Sequence, residues 1–283
     1  MVIKLLKCYN RFLINFKYYK TDKSNCNHGG ELKMTKIGYK PLIALALAGF
    51  VSMSIACAAA GGEKGTNTNY INSLPYAIND SGKYLLNISQ SNIMGTAITI
   101  NADDVILDGN GNYLEGDNSY WWWADDSGVH VYDCSKVTIR DMQISKFGSG
   151  IWIDNATECK ILKNNASDNM DGIMAWYSDN NNIEDNVACN NTWGISVDIS
   201  TGNKVINNIV NYNSHAGLDI QGSNYNRFIT NEVSYNTNYG IWGIWGSANN
   251  SILANTALNN GLYDISLDSE NILKGNKYVN IEE

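Results

Sequence analysis

The stretch GIMAWYSDNNNIEDNVACNNTW (Gly172–Trp193) is followed at once by GISVDISTGNKVINNIVNYNSHA (Gly194–Ala216), and the two superimpose almost position for position. Each opens with glycine and an apolar pair at alternate positions, Ile173 and Ala175 in the first and Ile195 and Val197 in the second. Working outward, the same start recurs at Gly128, Gly150, Gly217, Gly240 and Gly261. A second apolar position follows at Ile139, Ile161, Ile183, Val205, Phe228, Ile252 and Leu273, and a third at Ile144, Ala166, Ala188, Val210, Val233, Ala257 and Tyr278. Alternation of period two is the mark of a strand with one buried face. Three such strands in a repeat of about 22 residues specify a stacked solenoid rather than a globular core.

Asparagine keeps the same beat. One series runs Asn164, Asn186, Asn208, Asn231, Asn255, Asn276, in steps of 22, 22, 23, 24 and 21. A second sits five residues earlier (Asn181, Asn203, Asn226, Asn250, Asn271) and a third five later (Asn169, Asn191, Asn213, Asn236, Asn260). The sequence predicts that these residues make the corners, taking the left-handed backbone region that Asn tolerates best after Gly. Turns stacked about 4.8 Å apart would let each amide bond to the next, as in cross-β ladders. The role expected of them is structural.

An irregular turn precedes the regular ones around Ile98, Ile100, Val105, Ile106 and Leu107, and residues 117–127 break the period as a loop. The segment Ala102-Asp-Asp-Val-Ile-Leu-Asp-Gly109, within Tyr84 to Gly116, resembles the opening coils of NosD-type, PbH1-repeat proteins. The later Gly-Ile-x-Ile and Asn-x-Ile-x-x-Asn units are similar to the same repeat. The resemblance covers about residues 70–280 and implies an all-β, right-handed parallel β-helix of about seven to eight coils, within the pectin-lyase-like superfamily. It implies no single function: the group spans polysaccharide lyases, hydrolases, epimerases, surface-layer proteins and copper-maturation accessory proteins.

Ahead of the repeats, residues 34–60 have the layout of an export signal: Lys36 and Lys40, an apolar run from Leu42 to Val51, then small residues from Ser54 to Ala60. Ser54-Ile-Ala-Cys57 is similar to a bacterial lipobox, so lipidation at Cys57 stands beside simple cleavage and beside an uncleaved anchor. Residues 1–33, basic and aromatic, push that signal away from the terminus, and Met34 is read as the natural start. Residues 61–94 are assigned to an N-terminal cap and 95–283 to the helix. The protein is thus expected to be secreted or on the cell surface, with membrane contact only through the lipid or the signal.

The formal net charge is −8 with 20 basic against 28 acidic residues, and removing a basic leader makes the remainder more acidic still. Nucleic-acid binding, which needs a basic stripe, is excluded. Cys134, Cys159 and Cys189 fall at different points of their turns, so no disulfide framework and no metal-ligand spacing is present; no cofactor is implied. Cys159 takes a ladder asparagine's place and is expected to be a buried thiol.

Chemistry is expected on the outward positions of the first strand. Read up the stack these are His130, Trp152, Met174, Ser196, Asp219 and Trp242, then Tyr132, Asp154, Trp176, Asp198 and Gln221. Aromatics interleaved with acids on a flat face suit a sugar chain, whose C–H faces stack on rings and whose hydroxyls donate to carboxylates. Trp121, Trp122 and Trp123, in the loop before His130, either fold over that face or shield the stack. Asp154, Asp198 and Asp219 are the candidate catalytic acids, with Asp154/Asp198 or Asp198/Asp219 as the pair; outward acids on such a face are more usually solvated. His215 is read as a turn residue. Copper is the weakest reading, because His130 and Met174 are two turns apart and stand in no cluster. The expected partner is a polysaccharide or a cell-envelope glycan, bound or displayed structurally; the rival reading is a lyase or hydrolase acting on the same face.

Overall fold

The computed structural model describes residues 68–119 and 126–282. The export signal, Cys57, and the loop tryptophans Trp121, Trp122 and Trp123 lie outside those residues. Among the described residues there is no helix, and every strand pairing is parallel. Two ten-stranded sheets and one of four strands wrap the same core as a parallel β-helix. On the third side the ladder goes on as single bridges (Asn165 to Val187, Val187 to Ile209, Ile209 to Glu232, Glu232 to Thr256) after the last two-residue strand. Ten strands per sheet make about nine turns, more than the seven to eight read from the repeat. The extra turns come from strands within residues 68–93, whose glycine and asparagine beat is absent although their inward residues Ile71, Ile78 and Leu86 are fully buried.

Register follows the apolar columns. Val129, Ile151, Ile173, Ile195, Leu218, Ile241 and Ile265 are successive partners in one sheet, and all are fully buried. Each such side chain contributes about 1.5–3 kcal/mol by leaving water. The column of glycines beside them is set by the closeness of the turns: a Cβ on Gly172 would lie 2.5 Å from the carbonyl oxygen of Gly194.

All three asparagine ladders form. In the central one, Asn186 Nδ2 donates to Asn208 Oδ1 at 3.0 Å, and Asn208 Nδ2 donates to Asn231 Oδ1 at 3.0 Å and to the Ile183 carbonyl at 2.9 Å. The Asn208 oxygen also accepts the Asn186 backbone N–H at 2.9 Å. The side chain thus satisfies backbone groups that the corner would otherwise bury unpaired. Cys159 does occupy a ladder slot, with its backbone N–H on Asn181 Oδ1, and burial pushes its thiol up to about 11.

Two details differ from expectation. The left-handed residue is the one before each ladder asparagine: Lys163, Asp185, Asn207, Thr230 and Ala254 carry φ of 53–58°. The kink must precede the asparagine because its side chain has to point inward along the axis. There is also a fourth ladder, of serines, where the first sheet ends: the backbone N–H groups of Ala156, Ser178, Ser200 and Ser223 donate to the hydroxyls of Ser178, Ser200, Ser223 and Ser247.

Asn208→Ala removes a buried amide with four bonds and strands its partners, so it should cost about 2–4 kcal/mol in chemical denaturation. Ala254→Gly should instead stabilise by about 1 kcal/mol, since φ is 53° there.

Candidate functional site

The outward rows are superposed as the repeat requires. His130, Trp152, Met174, Ser196, Asp219 and Trp242 are consecutive partners across the strands Ser127–Tyr132, Ser149–Asp154, Asp171–Trp176, Trp193–Asp198, Ala216–Gln221 and Tyr239–Ile244. Tyr132, Asp154, Trp176, Asp198 and Gln221 form the second row in the same pairings. A third row, missed in the sequence, lies on the other flank: Ser127, Ser149, Asp171, Trp193, Ala216 and Tyr239. Its members directly precede the repeat glycines, and counting each unit from its glycine hides the column at the end of the previous unit.

Two aromatic banks stand on this face. In the lower one His130 stacks on Trp152 with centroids 4.3 Å apart and planes 7° apart, and Trp152 lies 6.1 Å from Trp176. Tyr132, 46% exposed, packs edge-on to His130. In the upper one Tyr239 stacks on Trp242 at 4.9 Å and 6°, and His215 packs on Trp193, Tyr239 and Trp242. His215 lies in the bend just before the strand Ala216–Gln221, a turn residue as expected, and it is also part of the aromatic bank; its neighbours there come from the turn below and the turn above, so no local sequence feature signals that second place. Burial lowers its imidazole from the ordinary value.

Between the banks the rows turn acidic, and this stretch is called the trough below. Its floor is Ser196, with Asp219 beside it on the next strand, Asp198 two residues along its own strand, and Asp171 on the strand below. Asp219 is 1%, Asp171 8% and Asp198 9% exposed, so these outward acids are not solvated surface. No lysine or arginine occurs in the three rows. Burial, then the charge of Asp219, pushes the Asp171 carboxyl up to about 8. Burial, then Asp219 and Asp171, holds Asp198 well above the carboxylate range. Burial raises Asp219 to about 7, less than Asp171 because Gln221 Nε2 and the Ile220 backbone N–H donate to it. Asp198 Oδ1 and Asp219 Oδ1 are buried without a hydrogen-bond partner, as are Trp152 Nε1 and His215 Nδ1 in the two banks.

Of the two acid pairs expected, Asp198 and Asp219 meet on adjacent strands, whereas Asp154 and Asp198 are separated by the indole of Trp176 in the same row. Asp171, Trp193, His215 and Tyr239 are additions from the structure.

A sequence profile described as "Periplasmic copper-binding protein (NosD)" matches residues 62–238 and, again, 183–280. No curated protein matches the chain by sequence. Among solved structures, the periplasmic alginate epimerase AlgG superposes with a TM-score of 0.51 at 16% identity, covering 74% of this chain and 59% of that one. The DFA-IIIase from Arthrobacter chlorophenolicus A6 in complex with GF2 gives 0.51 at 16% identity, covering 68% of this chain and 51% of that one. The chain thus spans between half and three-fifths of those proteins, and at such identities the likeness establishes the fold alone.

The copper in the family description finds no matching donor set among the described residues. Trp152 separates His130 from Met174 in their row, and no three His, Cys, Asp or Glu side chains converge as ligands.

The raised carboxyls make stability depend on pH in a definite sense. Between the ordinary carboxylate range and about 8 the native state keeps protons that the unfolded chain has released, so each rise in pH through that window favours unfolding. The thermal midpoint should fall from pH 5 to pH 8, and Asp171→Asn should flatten that slope while raising the midpoint at pH 8, as read by calorimetry.

Proposed function

The chain belongs to the NosD family, and within it we propose an exported protein that holds a neutral polysaccharide along the outward face of its first sheet. One observation carries this reading: two aromatic banks flank a trough of buried acceptors, three turns long from Trp176 to Trp242, about 14 Å at the backbone. Ring edges and faces meet the C–H surface of a pyranose, and carboxylates accept its hydroxyls. A pyranose hydroxyl that donates to the partnerless oxygens of Asp198 and Asp219 relieves the cost that these buried groups otherwise carry.

Charge selects the neutral class. A uronate chain would bring its carboxylates into a buried stretch whose own acids are held protonated by the lack of any lysine or arginine in the rows, so its charge would go unpaired there. Export is supported by the signal-like layout of residues 34–60 and by the periplasmic description of the family.

Affinity electrophoresis in gels containing mannan, mixed-linkage β-glucan or linear xylan tests binding. Retardation by at least one of them is expected, little changed by 0.5 M salt, since charge attraction is not the source. Trp176→Ala and Trp242→Ala should each weaken it roughly tenfold, or about 1.4 kcal/mol. Retardation by polyuronates alone, abolished by salt, contradicts the reading.

A further inference from the structure

We propose that the trough is also a hydrolytic site, in which Asp198 is the general acid and Asp219 the general base for cleaving a glycosidic bond of a neutral glycan. This rests on the glycan-binding reading above and goes beyond it, from holding a chain to cutting it.

The geometry carries the inference. Ser196 and Asp219 are paired across adjacent strands, and Asp198 is paired with Gln221, so the two acids sit on the diagonal of one sheet. With strands about 4.8 Å apart and a two-residue rise of about 6.6 Å, diagonal neighbours on a parallel sheet are about 8 Å apart at the backbone. Carboxyls carried on backbones at that spacing can be set roughly 6.5–9.5 Å apart, the separation that leaves room for a water beside the sugar in inverting hydrolysis. Both side chains are at least nine-tenths buried, and each keeps one oxygen without a partner. Buried orphan oxygens are costly, and in a structure otherwise laced with satisfied ladders they stand out as acceptors kept for a ligand. On either side, Trp152 Nε1 and His215 Nδ1 are unpartnered as well.

The environments of the two acids also differ in a useful direction. Asp219 receives hydrogen bonds from Gln221 and from the Ile220 backbone, which favour its ionised form, whereas Asp198 faces Asp219 and Asp171 and is held protonated by burial and their charge. Adjacent carboxyls pushed apart in this way supply one acid and one base at the same pH. Asp171, itself held protonated by burial until about pH 8, borders the pair from the strand below and is a positioning residue.

In the step, Asp198 gives its proton to the glycosidic oxygen as the bond to the anomeric carbon breaks, and that bond's electron pair leaves with the oxygen. One water adds to the anomeric carbon from the opposite side while Asp219 takes its proton. The products are a new reducing end and a free hydroxyl; solvent returns the proton from Asp219 to Asp198. Elimination or epimerisation of a uronate would need a group to neutralise its carboxylate, and the three rows hold none.

The test uses the full-length protein with the same three polysaccharides. Reducing ends should appear with any polysaccharide that the protein binds, and the first product should show inverted anomeric configuration by proton NMR. Asp198→Asn and Asp219→Asn should each lose roughly hundredfold or more in kcat, far more than either loses in glycan affinity, while staying folded with a thermal midpoint at neutral pH no lower than that of the native protein. The rate of the native protein should be bell-shaped in pH, falling at acid as Asp219 is protonated and at alkali as Asp198 ionises, with Asp171 and His215 the bordering titratable groups. Binding without any release of reducing ends overturns this inference and leaves the binding reading intact, as does release undiminished in both variants. Absence of binding to all three glycans overturns both.

Discussion

The stacking hydrogen bond from one asparagine amide to the next fixes everything else in this structure. A solenoid of short strands has no long-range core to hold its turns in register, and each turn touches only its neighbours. The amide of Asn208 joins the turns on either side of it at fixed spacing and simultaneously closes backbone groups at a buried corner. Three such ladders and a serine ladder lock the turns at four points, so residues 22 or 23 apart must superpose. The trough is a consequence: Asp171, Asp198 and Asp219 meet because the ladders align the turns that carry them.

Against that rigid frame the trough is a local conflict. Most buried polar side chains among the described residues belong to ladders; the acids between the aromatic banks are buried with no cation beside them, and Asp198 and Asp219 each retain an unpaired oxygen. Local sequence preference does not account for them, and the fold would be more stable with asparagine or leucine in their place. Conflicts of this kind, surrounded by over-determined structure, are where function is expected to reside.

The architecture was legible in the sequence because its signals are periodic: glycine, alternating apolar pairs and asparagine all repeat with the coil. The two outward rows were legible for the same reason. What escaped was aperiodic. Asp171 ends one unit and so disappeared from a reading that began at Gly172; His215 joins the aromatic bank through contacts to Trp193 and Trp242, one turn either way. The depth of Asp198 and Asp219 escaped too, because alternation tells which side of a sheet a residue faces but not what its neighbours stack upon that side. The left-handed positions were misplaced by one residue, since the asparagine that marks a corner in sequence is the one after the kink.

The most direct measurement is a pH titration of the aspartate side-chain carboxyl carbons by NMR, assigned through Asp171→Asn, Asp198→Asn and Asp219→Asn. A buried, cation-free trough requires that at least one of the three carboxyls remain protonated at neutral pH, with the trio titrating as a coupled set. If all three are ionised by pH 5, like ordinary surface aspartates, the trough is open to water and the account of this face is wrong.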